Sequence, residues 1–396
     1  MVAEAVFKHN PRQVQLDNLK PSYPRAFYWL ILINVVIDIF AFWSEPGGIT
    51  AFIRVVILYS VFFYFLLIKK LKFEKNIYIV IFSIYVLLQL FIAVDLDYSL
   101  KISIQIITSL LMFFVGYALI KNEFDFYYYL KQFFWIYVVI IINTIVSNIF
   151  KIGLDDYTQS TDYVVGGLND LWNIYTYSLM MLPLLIIYKI QKKYSLYFTS
   201  ILVLIFLIIS LKRIVLIEVV FASILFIYFI GLRLRTIRKI ILVIIILAIS
   251  FPLYSNLLLN RISVRGEKGR FDKDFYESEG RYQELTFMKE KISKFENPFE
   301  LFFGMKAFDS RGVVGGGTRN FHVDYALISF TLGLAGLLLY LLIYSKLFFE
   351  LFQNYKILKS SSFLWFRFKT HIITAIILLS TSLISAFGGH IFHVTF

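Results

Sequence analysis

Apolar residues stand in long blocks along this chain, and these blocks restrict its fold more than any other feature. One block covers residues 201–211 and another covers residues 240–250, each with apolar flanks. With their flanks they are long enough to cross about 30 Å of hydrocarbon at about 1.5 Å per residue. Hydrophobic residues make up 59% of the chain and charged residues only 16%. A water-soluble fold is excluded because it would need far more polar surface.

The blocks predict an all-α integral membrane protein with about eleven transmembrane helices. Helices are favoured over a barrel because polar and apolar residues do not alternate, and because backbone groups in lipid must be satisfied within each segment. The predicted spans are 27–43, 50–68, 76–94, 102–120, 127–150, 171–188, 195–211, 214–231, 240–257, 321–345 and 371–389.

The distribution of lysine and arginine predicts the orientation of these spans. With the N-terminus in the cytoplasm, the inside segments carry 22 Lys and Arg residues and the short outside loops carry 4. Long loops translocate largely regardless of charge, so this contrast is the one that determines orientation. It also accounts for the net charge of +13, which in a soluble protein would indicate nucleic acid; no nucleic-acid partner is expected.

This topology divides the chain into four parts. They are a cytoplasmic stub (1–26), nine transmembrane helices (27–257), a large extracytoplasmic loop (258–320) and two last helices with the C-terminus (321–396). Apolar residues at helical spacing in 281–295 predict a short amphipathic helix on the membrane surface within the loop. Asn297-Pro298 is expected to end that helix.

Several kinds of chemistry are not supported by the sequence. The chain has no cysteine, so disulfides, thiolate metal sites and a cysteine nucleophile are excluded. It has no Gly-rich phosphate loop, so ATP-driven transport by this chain alone is not expected. Two Asp-x-Asp triplets, 95–97 and 272–274, resemble divalent-metal pairs, but the pattern is common by chance. We predict no metal site and no cofactor.

A pair of cations is the strongest functional candidate. Lys212 and Arg213 lie between two apolar runs on the outer side, whereas cations that only anchor a helix belong on the cytoplasmic side. A guanidinium at this surface can hold a lipid diphosphate with two hydrogen bonds. Glu218, on the next helix, is expected to be its counter-ion, with an acid–base role as the alternative.

Further candidates lie in and after the large loop. His322 and Asp324 open the tenth predicted span, just beyond Arg319. A neutral imidazole here can accept a proton from a hydroxyl, although an interfacial histidine with a satisfied polar tip is an equal alternative. Among the loop cations that can reach an anionic group, Arg281 differs by its Glu-Gly-Arg setting; most such cations are simply solvated.

The order of these motifs resembles the O-antigen polymerase and O-antigen ligase superfamily of bacterial membrane glycosyltransferases. The residues that carry the resemblance are Ile209-Ser-Leu-Lys-Arg213, the Gly-Arg at 280–281, Asn297-Pro to Gly304, Asn320-Phe-His-Val-Asp-Tyr325 and Gly333-Leu-Ala-Gly336. The motifs cover roughly residues 195–345. The helix count and the loop position extend the resemblance to the whole chain.

The resemblance implies a metal-independent, inverting transferase with a GT-C-like fold. Its donor would be a glycan on undecaprenyl diphosphate at the outer face of the bacterial inner membrane. Arg213 and Arg281 match the diphosphate-binding arginines of the family and His322 matches its loop-end histidine, while Lys212 and Arg319 are expected to assist in holding the diphosphate. The proton acceptor stays open between His322, Asp324 and a loop acid, with Arg281 also expected at the reacting bond.

The resemblance leaves the acceptor open. A polymerase would transfer the glycan to another lipid-linked repeat unit, and we favour this reading; a ligase would transfer it to the lipopolysaccharide core. The expected partners are the lipid-linked oligosaccharide, the membrane and a chain-length regulator protein. A flippase for lipid-linked sugars is the alternative from another class, but it predicts repeated halves and ionisable residues deep in several spans, which the sequence does not show.

Overall fold

A computed structural model gives the structure of the chain at residues 21–43, 49–69, 71–150, 213–230, 280–294, 297–311, 313, 321 and 323–388, and at scattered positions between 241 and 263. Every regular element in these ranges is helical. The all-α prediction therefore holds for the part of the chain that is described. The predicted spans 171–188 and 195–211 and most of 240–257 lie outside it.

Twelve helices are numbered here in chain order across the described ranges. They are α1 (Arg25–Tyr28), α2 (Leu30–Trp43), α3 (Ile49–Lys69), α4 (Ile77–Gln89, extended by 3-10 turns at Phe73–Asn76 and Leu90–Ile92), α5 (Leu96–Leu119), α6 (Glu123–Phe150), α7 (Arg213–Ile230), α8 (Gly280–Lys294), α9 (Pro298–Phe303), α10 (Asp324–Thr331), α11 (Gly333–Ser360) and α12 (Ser362–Gly388).

Four of these segments are long and apolar enough to cross a membrane, namely Phe73–Ile92, Leu96–Leu119, Phe124–Asn143 and Gly333–Ser360. Three shorter apolar helices, Phe52–Ile68, Ile217–Phe229 and Phe368–Ile384, coincide with further predicted spans. The chain is thus a helical protein suited to a membrane, while the count of eleven spans and their orientation remain predictions.

Helix α11 contacts helices from both the early and the late parts of the chain. It packs against α4 and α12, and α12 packs against α7. The amide of Asn76 donates to the carbonyl of Ile343 over 3.2 Å, and the hydroxyl of Tyr85 donates to the carbonyl of Leu332 over 2.8 Å. Asn76, just before α4, thus pairs with the middle of α11, and Tyr85, further along α4, pairs with the residue just before α11, so the two helices run antiparallel.

The tenth predicted span differs from the structure. Instead of one helix over 321–345, the chain forms α10, breaks at Leu332, and starts α11 at Gly333, which has φ +67°. A Cβ on Gly333 would overlap the carbonyl of Phe302, and one on Gly304 (φ +80°) would overlap the carbonyl of Thr331. Glycine is required at both positions because the two backbones touch there and turn through a left-handed conformation. The prediction of a continuous helix was wrong.

The Asn-Pro pair also acts differently from the prediction. Asn297 does not simply end α8 but caps α9, since its side-chain oxygen accepts from the backbone N–H of Phe299 and Glu300. Proline is tolerated at the first helical position because its missing N–H would have no intrahelical partner there. The amphipathic helix predicted over 281–295 is observed as α8, Gly280–Lys294.

Candidate functional site

Three of the six sequence-predicted site residues lie within helices of the described ranges. Arg213 is the first residue of α7, Arg281 is the second residue of α8, and Asp324 is the first residue of α10. For the two arginines the structure describes the helical backbone position only. Lys212, Arg319 and His322 lie outside the described residues.

A buried carboxylate joins the start of α8 to the start of α10. Glu284, one turn after Arg281, is 2% exposed, and its Oε2 accepts from the backbone N–H of Val323 over 2.8 Å. Val323 is itself buried and is the residue directly before Asp324. A hydrogen bond from a buried amide to a carboxylate is among the stronger ones, so it fixes the approach of the two helices.

The start of α10 is also tied to the far end of α12. The hydroxyl of Tyr325 donates to the carbonyl of Leu383 over 2.9 Å. The side chain of Asp324 is fully buried, and it sits in the first turn of α10, where the helix dipole favours a negative charge. Tyr340 lies beside this turn, its ring 6.3 Å from that of Tyr325. Asp324 is thus a buried acid among tyrosines.

The level of Arg213 along the bundle can be inferred from the ring contacts at the other end of α7. Phe229 packs 5.4 Å from the ring of Tyr355, which packs 5.5 Å from that of Trp365. Helix α7 packs along α12, and Arg213 lies sixteen residues, about 24 Å, before Phe229. Counting the same distance along α12 from Trp365 reaches about residue 381. Arg213 therefore lies near the level at which Tyr325 contacts α12.

A second polar cluster holds the segment between α9 and α10. Arg311 donates from Nε and Nη2 to the two carboxylate oxygens of Asp309, each over 2.8 Å, and from Nη2 to Asp95 over 2.8 Å. Its guanidinium also stacks 4.7 Å from the centre of the Tyr98 ring. We call these four residues the arginine clamp. It ties the loop after α9 to the turn between α4 and α5.

The clamp sets the charge of both carboxylates. Hydrogen bonding from Arg311 lowers the pKa of Asp309 below its ordinary value of 3.8. The pKa of Asp95 is lowered first by the backbone N–H of Tyr98 and then by Arg311. The two acids in turn raise the pKa of Arg311. All three groups are charged at neutral pH, so the cluster of two carboxylates and one guanidinium carries one net negative charge.

Two further hydrogen bonds continue the clamp toward the site. Ser99 donates to the carbonyl of Ala307 over 2.5 Å. The backbone N–H of Phe321 donates to the Ser310 hydroxyl over 2.7 Å. Ser310, within the loop that the clamp holds, and Glu284 therefore fix the chain at the buried residues Phe321 and Val323, on either side of the sequence position of His322.

These contacts revise two readings of the sequence. Most loop cations were expected to be solvated, but Arg311, one of them, forms hydrogen bonds with Asp309 and Asp95. Asp95, the first acid of the weak metal pair 95–97, is engaged by Arg311 and by a backbone amide. Within the described ranges, no group of three His, Cys, Asp or Glu side chains is arranged to hold a metal ion.

Sequence reasoning missed Glu284 and Asp309. The sequence did contain an indication for Glu284. It lies one turn from both Arg281 and Met288, so it shares a face of α8 with Met288, the apolar residue that this helix buries. Met288 is 5% exposed, whereas Leu285 and Ile292, which suggested the apolar face, are 42% and 41% exposed. Asp309 carried no comparable signal, since an acid in a loop is ordinarily solvated.

A groove of about 320 Å³ lies between α8 and α9. Its wall combines aromatic, aliphatic and charged side chains, namely Phe287, Glu290, Lys291, Lys294, Asn297, Glu300, Leu301 and Met305. The two lysines and two glutamates cancel in charge. Lys291 is turned toward Glu300, 3.7 Å away, and over the Phe330 ring. The groove therefore lacks the net positive charge expected of a diphosphate site.

A scan against protein-family models found no match to this chain, and neither did searches of the curated proteins and of the solved structures.

Proposed function

We propose that the protein is a membrane glycosyltransferase that polymerises a bacterial surface polysaccharide. It transfers a glycan from undecaprenyl diphosphate to a lipid-linked repeat unit at the outer face of the inner membrane. The observation that supports this proposal is the hydrogen bond between Glu284, one turn after Arg281, and the backbone N–H of Val323, directly before Asp324, near the Leu383 end of α12. Arg213 is expected at the same end. Two cations and an acid at such an end suit a substrate with a lipid anchor, a diphosphate and a sugar.

The chemistry requires charge stabilisation on the leaving group and a proton acceptor for the attacking hydroxyl. When the bond between the anomeric carbon and the diphosphate oxygen breaks, Arg213 and Arg281 neutralise the charge that develops on the diphosphate. The acceptor hydroxyl attacks the anomeric carbon from the opposite face and gives its proton to His322 or Asp324. Lys212 and Arg319 add positive charge around the departing diphosphate in this scheme.

Substitution of the two arginines tests the proposal in cells. Arg213→Ala and Arg281→Ala are each expected to abolish long-chain surface glycan in a strain that lacks the native gene, because an uncompensated leaving-group charge raises the barrier by several kcal/mol, on the order of 10²-fold or more in rate. Surface polysaccharide is resolved on a gel, and membrane insertion is checked by immunoblot of the membrane fraction.

Matched controls separate loss of charge at the site from loss of any surface cation. Lys289→Ala removes an exposed cation from the same helix as Arg281, and wild-type chain lengths are expected. A single repeat unit on the lipid core in the deletion strain supports a polymerase. Free lipid-linked polymer with bare core would identify a ligase instead. Normal polymer from both arginine variants would exclude the transferase mechanism.

A further inference from the structure

One lysine in the wall of the groove between α8 and α9 is held in place without using up its hydrogen bonds. The ammonium of Lys291 lies 5.1 Å from the centre of the Phe330 ring, 3.4 Å from the sulfur of Met305 and 3.7 Å from a carboxylate oxygen of Glu300. A thioether is a weak acceptor, and 3.7 Å is too long for a direct hydrogen bond between nitrogen and oxygen. Among the described residues Lys291 is thus fixed in position, while its N–H donors can still serve a ligand in the groove.

The carboxylate of Glu300 is the acceptor that matches this donor. Its side chain is 41% exposed. A hydroxyl group both donates and accepts, so one hydroxyl placed between the two side chains can accept from Lys291 and donate to Glu300. Glu290, Lys294 and the amide of Asn297 add further donors and acceptors along the same wall. Because the two lysines and two glutamates cancel in charge, the groove favours a ligand that carries several hydroxyls and little net charge.

The remaining wall of the groove is apolar. It is formed by Phe287, Leu301 and Met305, which offer a surface for the C–H faces of a ligand. The volume of about 320 Å³ lies at the lower end of the range for small-molecule sites, and an apolar wall with a few placed polar groups is typical of them. A sugar has both an apolar ring face and a rim of hydroxyls, so it fits both walls.

The groove adjoins the segment in which the proton acceptor is predicted. The ring of Phe287 lies 6.0 Å from the ring of Phe321, which directly precedes His322 in the sequence. Arg281 lies ten residues before Lys291 on α8, about 15 Å along the helix. A ligand that reaches both the groove and Arg281 is therefore an extended chain, as an oligosaccharide is.

We propose that the groove between α8 and α9 binds uncharged sugar residues of the glycan, with Lys291 and Glu300 sharing one sugar hydroxyl. The identity of the glycan rests on the proposed function. In this arrangement the sugars that are not reacting lie along α8, and the reacting end of the glycan lies toward Arg281. The groove then selects the glycan, whereas the diphosphate is held by the arginines outside it.

Titration calorimetry on the purified full-length protein in detergent tests this binding. The probe is the free oligosaccharide that mild acid releases from the undecaprenyl-diphosphate-linked repeat unit, so that neither lipid nor diphosphate contributes. Lys291→Met retains the length of the side chain and removes its donors, and Glu300→Gln retains the size and removes the charge. Each is expected to weaken binding roughly tenfold or more, because a hydrogen bond to a charged group is lost. Lys289→Ala, an exposed lysine of α8 outside the groove, is the matched control and should bind as the wild type does.

The proposal is overturned if the wild type does not bind the oligosaccharide, or if both groove variants bind it as tightly as Lys289→Ala does. Displacement of the oligosaccharide by inorganic pyrophosphate would also overturn it, since the groove would then be an anion site. Neither Lys291 nor Glu300 is buried, and equal unfolding temperatures check that the variants are folded. Because binding is measured without turnover, groove-dependent binding by a protein that makes no polymer would support the groove and contradict the transferase alone.

Discussion

Glu284 gives the sharpest prediction about how the candidate site is held. Replacing it with alanine removes the carboxylate that accepts the backbone N–H of Val323 over 2.8 Å and leaves this buried amide without that acceptor. Hydrogen bonds to a charged group contribute about 1.5–3 kcal/mol. We therefore expect the segment 321–324 to become easier to open by about 2 kcal/mol, which corresponds to roughly 30-fold at 1.4 kcal/mol per tenfold. Glu284→Gln retains an uncharged acceptor and is expected to have a smaller effect.

Hydrogen exchange measured by mass spectrometry on peptides that cover the start of α10 reads this opening directly. In Glu284→Ala the amide of Val323 is expected to exchange roughly 30-fold faster than in the wild type, and glycan transfer should fall because the groups near Asp324 lose their fixed position. Lys289→Ala, which removes an exposed charge from the same helix, serves as the control and should change neither quantity. Unchanged exchange at Val323 in Glu284→Ala would refute the reasoning.

Two further predictions concern the segments around the site. Gly333→Ala should destabilise the protein by about 3 kcal/mol, measured by thermal unfolding in detergent, because alanine disfavours φ +67° and its Cβ would overlap a neighbouring backbone. Gly116→Ala, with open space around the added carbon, serves as the control and should be neutral or slightly stabilising. Equal unfolding temperatures of the two variants would contradict this prediction. The arginine clamp should stabilise the fold above about pH 4 and lose its effect as the pH falls through the lowered pKa of Asp309. Arg311→Ala should therefore melt below the wild type at pH 7, and the difference should narrow as the pH falls through the lowered pKa values of Asp309 and Asp95. A difference in melting temperature that does not narrow in acid would argue against the clamp.

Much of the fold was predictable because lipid-length apolar blocks and helical spacing act locally. The predicted spans 50–68 and 102–120 correspond to helices Ile49–Lys69 and Leu96–Leu119, and residues 281–295 correspond closely to α8. The break at Gly333 was not predictable, because it depends on backbone contact with Gly304, almost thirty residues earlier. Hydropathy alone does not reveal such a break, because the residues on both sides of it are apolar.

The candidate site was predictable only in part. Arg213, Arg281 and Asp324 were selected from sidedness and motif order, and their role in a shared site stays a prediction. The residues that hold the segments together, Glu284 and Arg311, could not be selected in this way. Their importance arises from partners distant in the chain, a buried amide at Val323 and the carboxylate of Asp95, and charged residues without such partners are ordinarily solvated.

The most direct test of the proposed function is turnover by the purified protein in proteoliposomes that contain only an undecaprenyl-diphosphate-linked repeat unit. The account predicts a ladder of longer lipid-linked glycans, with one undecaprenyl diphosphate released for each linkage formed and no loss of activity when divalent metal ions are chelated. Absence of both products from a correctly folded, reconstituted protein supplied with this substrate would contradict the account.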